Sequence, residues 1–324
     1  MRVVDLRAAL LLSAGVENSN LCLMLEPQQG GTYEQFLSLA LTAESAGFSG
    51  VFRSDHLATI GGEQREALEA WTTLAALARD TRRVRLGTMV SPMTFRQPAV
   101  LAKEAQTVDH LSDGRVELGL GAGWYEAEHV AMGIPFPTTD ERMQRLEQGM
   151  ELIASLLNPS AGAESAHHIP LILGGQGGPR SARLAARLAD EYNTTVYTPH
   201  DVKKVFATLR SACEQQQRDP ATLRMSWMGT CIVAGTDAEL NRRAEEFAER
   251  MLGGREDGAA VVTRLHDRGV VGTYDDAATS MRAYIDAGCQ RLYLRVLNLD
   301  DPEMLLEIAD EVAVRVIDHA PEAA

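Results

Sequence analysis

The sequence predicts an α/β chain closed into a (β/α)8 barrel of the TIM type, and two observations carry that expectation. Eight short apolar or β-branched runs alternate with helix-period patterns along the whole chain, whereas doubly wound sheets usually stop at about five to seven strands. Several runs, such as Leu171-Ile172-Leu173, are apolar at every position, as a parallel strand covered on both faces requires.

The strands are expected at residues 21–26, 50–56, 84–90, 116–121, 169–174, 192–197, 225–233 and 291–297. Helices are expected at 33–46, 67–79, 98–111, 140–157, 180–189, 202–217, 237–251 and 276–287, with a final one over 302–316. Gly47 and Gly288 stand just past two helix ends, where the chain needs positive φ. Pro98 suits a first helical turn, and Thr32 a plain helix cap. Residues 255–273 are the least regular and read as a short insertion carrying a helix before the last strand. Without a linker or low-complexity tract, residues 21–324 form one barrel domain behind an N-terminal extension, 1–20.

Composition narrows the function. Asp and Glu total 45 against 31 Lys and Arg, a net charge of -14, which repels nucleic acid and anionic membranes. A small anionic ligand stays possible, because backbone N–H groups bind phosphate without lysine. Cys22, Cys213, Cys231 and Cys289 are scattered with no CxxC pair. Neither a zinc site nor a disulfide framework follows, and a reducing cytoplasm fits. The apolar run at residues 8–12 follows Arg2 and Arg7 but is too short to span a bilayer. His167-His168 lacks a third ligand at metal spacing and is assigned to solvent, so no metal is expected. HExxH and GxSxG are both missing, which argues against zinc peptidase and α/β-hydrolase chemistry.

Functional groups of such barrels sit where strands end. The second strand runs into Asp55-His56. Such a pair positions an imidazole and adjusts its protonation, although an isolated Asp-His more often caps and packs. The third strand ends through Thr88, Met89, Val90 and Ser91, small and soft residues that suit the face of an aromatic ring. The fourth ends in Gly119, Gly121, Ala122 and Gly123, where missing side chains admit a close approach. Without GxGxxG spacing it is a weak dinucleotide signal. Trp124 beside it suits a pocket wall or the core. After the fifth strand, Gly174, Gly175, Gln176, Gly177 and Gly178 lead into a helix at Arg180, a phosphate cradle by mechanism or a tight turn only. Glu26 ends the first strand and would face the mouth, and Tyr197 ends the sixth.

Taken in order, Glu26-Pro27-Gln28-Gln29-Gly30, Phe52-Arg53-Ser54-Asp55-His56, Trp71-Thr72-Thr73, Leu86-Gly87-Thr88, Gly114-Arg115, Glu128-His129, Gly133-Ile134-Pro135 and Leu173-Gly174-Gly175 resemble the luciferase-like monooxygenase superfamily. The Ser-Asp-His ending looks most like its branch dependent on the deazaflavin coenzyme F420. The resemblance implies a hydride-transferring oxidoreductase acting on an activated C=C or C=N bond or on an alcohol. A reduced-FMN monooxygenase is the rival within the class, and a non-catalytic flavin-binding barrel the rival outside it.

The resemblance further implies that His56 lies over the cofactor ring, with Asp55 at the ring or its first hydroxyls. Proton delivery falls to His56, or to a water held by Glu26 and Asp55. Met89-Val90 aligns with a non-proline cis peptide beneath the ring. Gly121, Ala122 and Gly123 line the ring edge and polyol, Gly175, Gln176 and Gly177 hold the phosphate, and Trp124 and Tyr197 border the substrate. A homodimer is also implied.

Two departures qualify it. Trp124 stands where sugar-phosphate dehydrogenases of the group place a proton-donating glutamate, which weakens a sugar-phosphate substrate. The connector at residues 158–166 is shortened, suggesting an open mouth and a bulky natural-product or peptide substrate.

Overall fold

The computed structural model describes residues 20–61, 63–158 and 168–318. Its strands are β1 (Leu21–Leu25), β2 (Gly50–Arg53), β3 (Arg85–Pro92), β4 (Val116–Gly121), β5 (Leu171–Gly175), β6 (Glu191–Thr194), β7 (Arg224–Ala234), β8 (Val270–Thr273) and β9 (Arg291–Val296). Eight of them, in the order β1 to β7 and then β9, close into a parallel barrel, and β8 bonds to β7 outside the ring. This is the TIM-type barrel that the alternation predicts.

Period-two geometry explains why its strands look apolar throughout. In β1, Leu21, Leu23 and Leu25 join the layer between barrel and helices. Cys22 and Met24 turn inward to a cluster with Phe52, Met89, Ile172 and Tyr293. Both faces are dry, so neither needs a polar residue.

The outer helices are α1 (Tyr33–Ser45), α2 (Ala70–Asp80), α3 (Pro98–Ser112), α4 (Glu126–Ala131), α5 (Thr139–Leu157), α6 (Pro179–Leu188), α7 (Pro199–Gln215), α8 (Asp237–Leu252), α9 (Gly258–Leu265), α10 (Tyr274–Asp286), α11 (Glu303–Glu307) and α12 (Ala313–Asp318). A π-helical turn, Ile308–Val312, joins the last two. Thr32 forms a capping box with Gln35, and Thr138 and Thr273 do the same for α5 and α10.

Three details differ from the sequence expectation. The irregular stretch holds the expected helix, α9, but also the unexpected β8. The far end of β7 pairs with it, covering a satellite core of Ile232, Phe247, Val261, Leu265 and Val271. At six residues, α4 is too short to show a helical period. The sixth strand ends at Thr194, so Tyr197 belongs to the following loop. The expectations placed on residues 1–19 and on connector positions 159–166 lie outside the described residues, as does His167. Among the described residues no helix is long and apolar enough to cross a membrane.

The starts of the strands are sealed by charge. Arg291 reaches Glu117 at 2.6 Å and Glu191 at 3.0 Å inside the barrel. Tyr293 donates to Glu191 at 2.7 Å, and Arg85 reaches Glu117 at 2.8 Å. A plugged lower end leaves the opposite rim as the place for a ligand.

Candidate active site

At that rim the strand ends and their loops enclose a cavity of about 680 Å³, within the range of small-molecule and cofactor sites. His56, Val90, Gly121, Gly174, Met228 and Arg295 line it from six different strands or the loops after them. The first strand adds Glu26 and the sixth adds Asn193. Thus the tails expected to converge do converge.

The Met89–Val90 peptide bond is cis, as the resemblance implies, and both residues line the cavity. The nearby glycines are explained by Val90. A Cβ on Gly121 would come within 2.5 Å of a Val90 methyl, and one on Gly174 within 2.8 Å. A side chain at either place would have to displace Val90, so the space beside Val90 is kept clear on two sides. Gly123 has φ +80°, and a Cβ there would meet the Thr94 hydroxyl at 2.7 Å.

His56 lines the same cavity. Its Nδ1 lies 3.0 Å from Oε2 of Glu128, and its ring is edge-on to Trp124 at 5.9 Å and Tyr125 at 6.4 Å. Burial alone pulls His56 toward the neutral form. The hydrogen bond and charge of Glu128 more than reverse this, with Glu26 and Asp55 adding to the effect, and the imidazole titrates above its ordinary value. Burial pushes Glu128 the other way. Contact with His56 and the amides of Ala58 and Leu57 outweighs it, and the carboxyl stays below its usual range.

Asp55 lies next to His56 but is held by protein groups. Its side chain is buried behind the loop and does not line the cavity. Arg96 binds it at 2.5 Å and 3.2 Å, and Ser91 donates to it at 2.6 Å. Its carboxylate therefore ties the loop after β2 to Ser91 and Arg96. Arg96 also touches Glu69, at the start of α2, so a single guanidinium ties that loop to a helix.

The glycine turn after β5 is divided. Gly175 and Gln176 line the cavity, but Gly177 does not. The Gly177 N–H donates to the Tyr192 hydroxyl at 2.8 Å, so it is already used. Arg180 is gripped on two nitrogens by Glu147, at 2.7 Å and 2.8 Å.

Glu26 lines the mouth as expected. It accepts from the Gln28 amide, and Arg295 lies 3.9 Å away. Ala122, Trp124 and Tyr197 also line the cavity, the two aromatics each 63% exposed at its edge. Arg268, from the insertion, lies over the Tyr197 ring at 5.7 Å.

Sequence reasoning singled out neither Glu128, Arg268 nor Arg295. Glu128 stood within a quoted block without a role, since its partner is 72 positions away. Arg295 is inward-facing at a strand end, which period-two counting from Arg291 could have found.

A closed parallel barrel with a cavity at its strand-end rim has the architecture in which barrels of this type place their ligand sites. The chain belongs to the luciferase-like monooxygenase family, whose model matches residues 21–291. It is 34% identical over 178 residues to an F420-dependent glucose-6-phosphate dehydrogenase of Microbacterium testaceum, covering 50% of this chain and 52% of that one. It is 30% identical over 212 residues to an F420-dependent hydroxymycolic acid dehydrogenase of Mycobacterium tuberculosis, 59% of this chain and 58% of the other. The chain thus spans about half the length of the curated relatives it matches. In fold it is similar to an F420-dependent secondary alcohol dehydrogenase solved with an F420-acetone adduct, with TM-score 0.75, 17% identity, and 92% and 98% of the chains covered. It is also similar to the monooxygenase RslO1 of Streptomyces bottropensis, with TM-score 0.74, 22% identity, and 93% and 99% covered.

Proposed function

We propose that the chain is a coenzyme F420-dependent oxidoreductase that moves a hydride between the deazaflavin and an organic substrate. The observation that carries this is His56, held by a buried carboxylate in the wall of a cavity whose floor is the glycine-flanked Val90. The F420-dependent relatives support it.

The residues fit a flat ring with a phosphate tether. Met89 and Val90 would support the ring, Gly121, Ala122 and Gly123 its edge and polyol, and Gly175 and Gln176 the phosphate. Gly177 and Arg180 are already engaged, so the backbone on either side of them is left for that charge. When bound, the deazaflavin supplies a two-electron carrier of hydride. This chain's residues orient the substrate, keep water out and handle the proton. His56 would hold that proton at Nε2, the nitrogen that Glu128 does not occupy. Trp124 and Tyr197 would flank a small organic or peptide substrate, reduced at an activated C=C or C=N bond or oxidised at an alcohol carbon.

Titration of the purified protein with oxidised F420 and with FMN tests the reading. Saturable uptake of F420, at least about tenfold tighter than FMN, is expected. Tight FMN uptake with no F420 binding would overturn it in favour of a reduced-FMN monooxygenase.

A further inference from the structure

Glu128 comes from α4, the short helix outside the barrel, yet it is only 1% exposed. A buried carboxylate is costly unless every oxygen is answered. Here Oε2 meets His56 Nδ1 at 3.0 Å, while Oε1 accepts the amides of Leu57 and, at 2.9 Å, Ala58. One carboxylate therefore grips both the imidazole and the backbone that follows it.

We propose that Glu128 is a positioning residue: it holds His56 with a proton on Nδ1 and so presents Nε2 to the cavity. The chemistry is that of a carboxylate accepting from one ring nitrogen and thereby defining the role of the other. Trp124 and Tyr125 stand edge-on to the same ring and limit its rotation. The charged groups around His56 are few. Glu128 faces it from α4 and Glu26 from the end of β1, while Asp55, on its own loop, is answered by Arg96. Of these charged groups, Glu128 is the one hydrogen-bonded to the ring. The reactive consequence rests on the reading of His56 as the proton-handling group, but the placement does not.

The test needs no cofactor. Nitrogen NMR of the ¹⁵N-histidine-labelled full chain reports tautomer and titration of each ring, with His56→Asn identifying the His56 signals among the 8 histidines. Wild type is expected to show protonated Nδ1 in its neutral form. Glu128→Gln keeps a carbonyl for the Leu57 and Ala58 amides but removes the charge. Its His56 midpoint should fall by about one pH unit or more, with mixed tautomers. Glu128→Asp, which keeps the charge, should restore most of the wild-type midpoint.

Identical His56 titrations in wild type and Glu128→Gln would overturn the proposal. So would a wild-type ring protonated on Nε2 when neutral, a result that stands even if the glutamine variant fails to fold. Failure of F420 to bind, with these shifts intact, would instead remove the proposed function and leave the positioning role standing.

Discussion

The two ends of the barrel both bury charge and use it in opposite ways. At the strand starts, Arg291, Glu117, Glu191, Tyr293 and Arg85 answer one another inside the protein. At the strand ends, His56, Glu26 and Arg295 face a cavity. Among the described residues Arg268 has an aromatic ring beneath it and no carboxylate within ion-pair distance. A closed ion cluster has no capacity left for a ligand and serves architecture. Groups with capacity to spare around a cavity are where a ligand completes the arrangement.

The largest expected effect tests the closed end. Arg291→Met leaves Glu117 and Glu191 buried without their shared cation, which costs about 3–5 kcal/mol. Urea unfolding followed by circular dichroism should show that loss. Unchanged stability would mean that the lower cluster is not structural, and the contrast between the ends would fail.

At the open end the loss should appear in turnover. His56→Ala is expected to slow hydride transfer about a hundredfold or more, read as the rate of F420 reduction or oxidation at saturating cofactor. Stability should fall by no more than about 2 kcal/mol, because Glu128 keeps its two backbone donors. Turnover at the wild-type rate would remove His56 from the chemistry.

The His56–Glu128 pair bridges the two kinds of charge, and pH separates them. His56 is raised in the folded protein, so its stabilisation is complete below the ordinary histidine value and is lost as pH rises through the raised one. Glu128 is lowered, so its share is present above the ordinary carboxylate value and disappears as pH falls through the lowered one. Wild type should therefore exceed Glu128→Gln most between those limits, by about 1–3 kcal/mol, with the gap closing toward alkaline pH. Urea unfolding across pH measures it. A gap independent of pH would show that the pair's charge contributes nothing.

The same contrast explains what could be read from the chain. Strands such as Leu171-Ile172-Leu173 were legible because burial on both faces leaves a continuous apolar run. His56, Val90 and Gly121 were legible because they lie at or just past the ends of strands that can be counted. β8 was not, since Val270-Val271-Gly272-Thr273 offers only four residues and its partner is the overhanging end of β7. The partner of Asp55 was not legible, because Arg96 comes from the next loop and meets it only in the folded chain. Glu128 and Gly177 took their roles from contacts with His56 and Tyr192, which are formed only when the barrel closes.

The smallest effect concerns the floor, where two glycines of one rim differ. A Cβ at Gly121 would lie 2.5 Å from a Val90 methyl, whereas a Cβ at Gly178 would meet nothing within 4 Å. Gly121→Ala must therefore displace Val90 from beneath the proposed ring site, an overpacking cost of about 1–3 kcal/mol. If part of that cost falls on the bound state, F420 affinity should drop about tenfold by fluorescence titration. Gly178→Ala, with its φ of -62° already open to any residue, should bind as wild type within about twofold. Equal affinities for the two variants would mean that the Val90 floor does not touch the ligand, and the glycines there would belong to barrel packing alone.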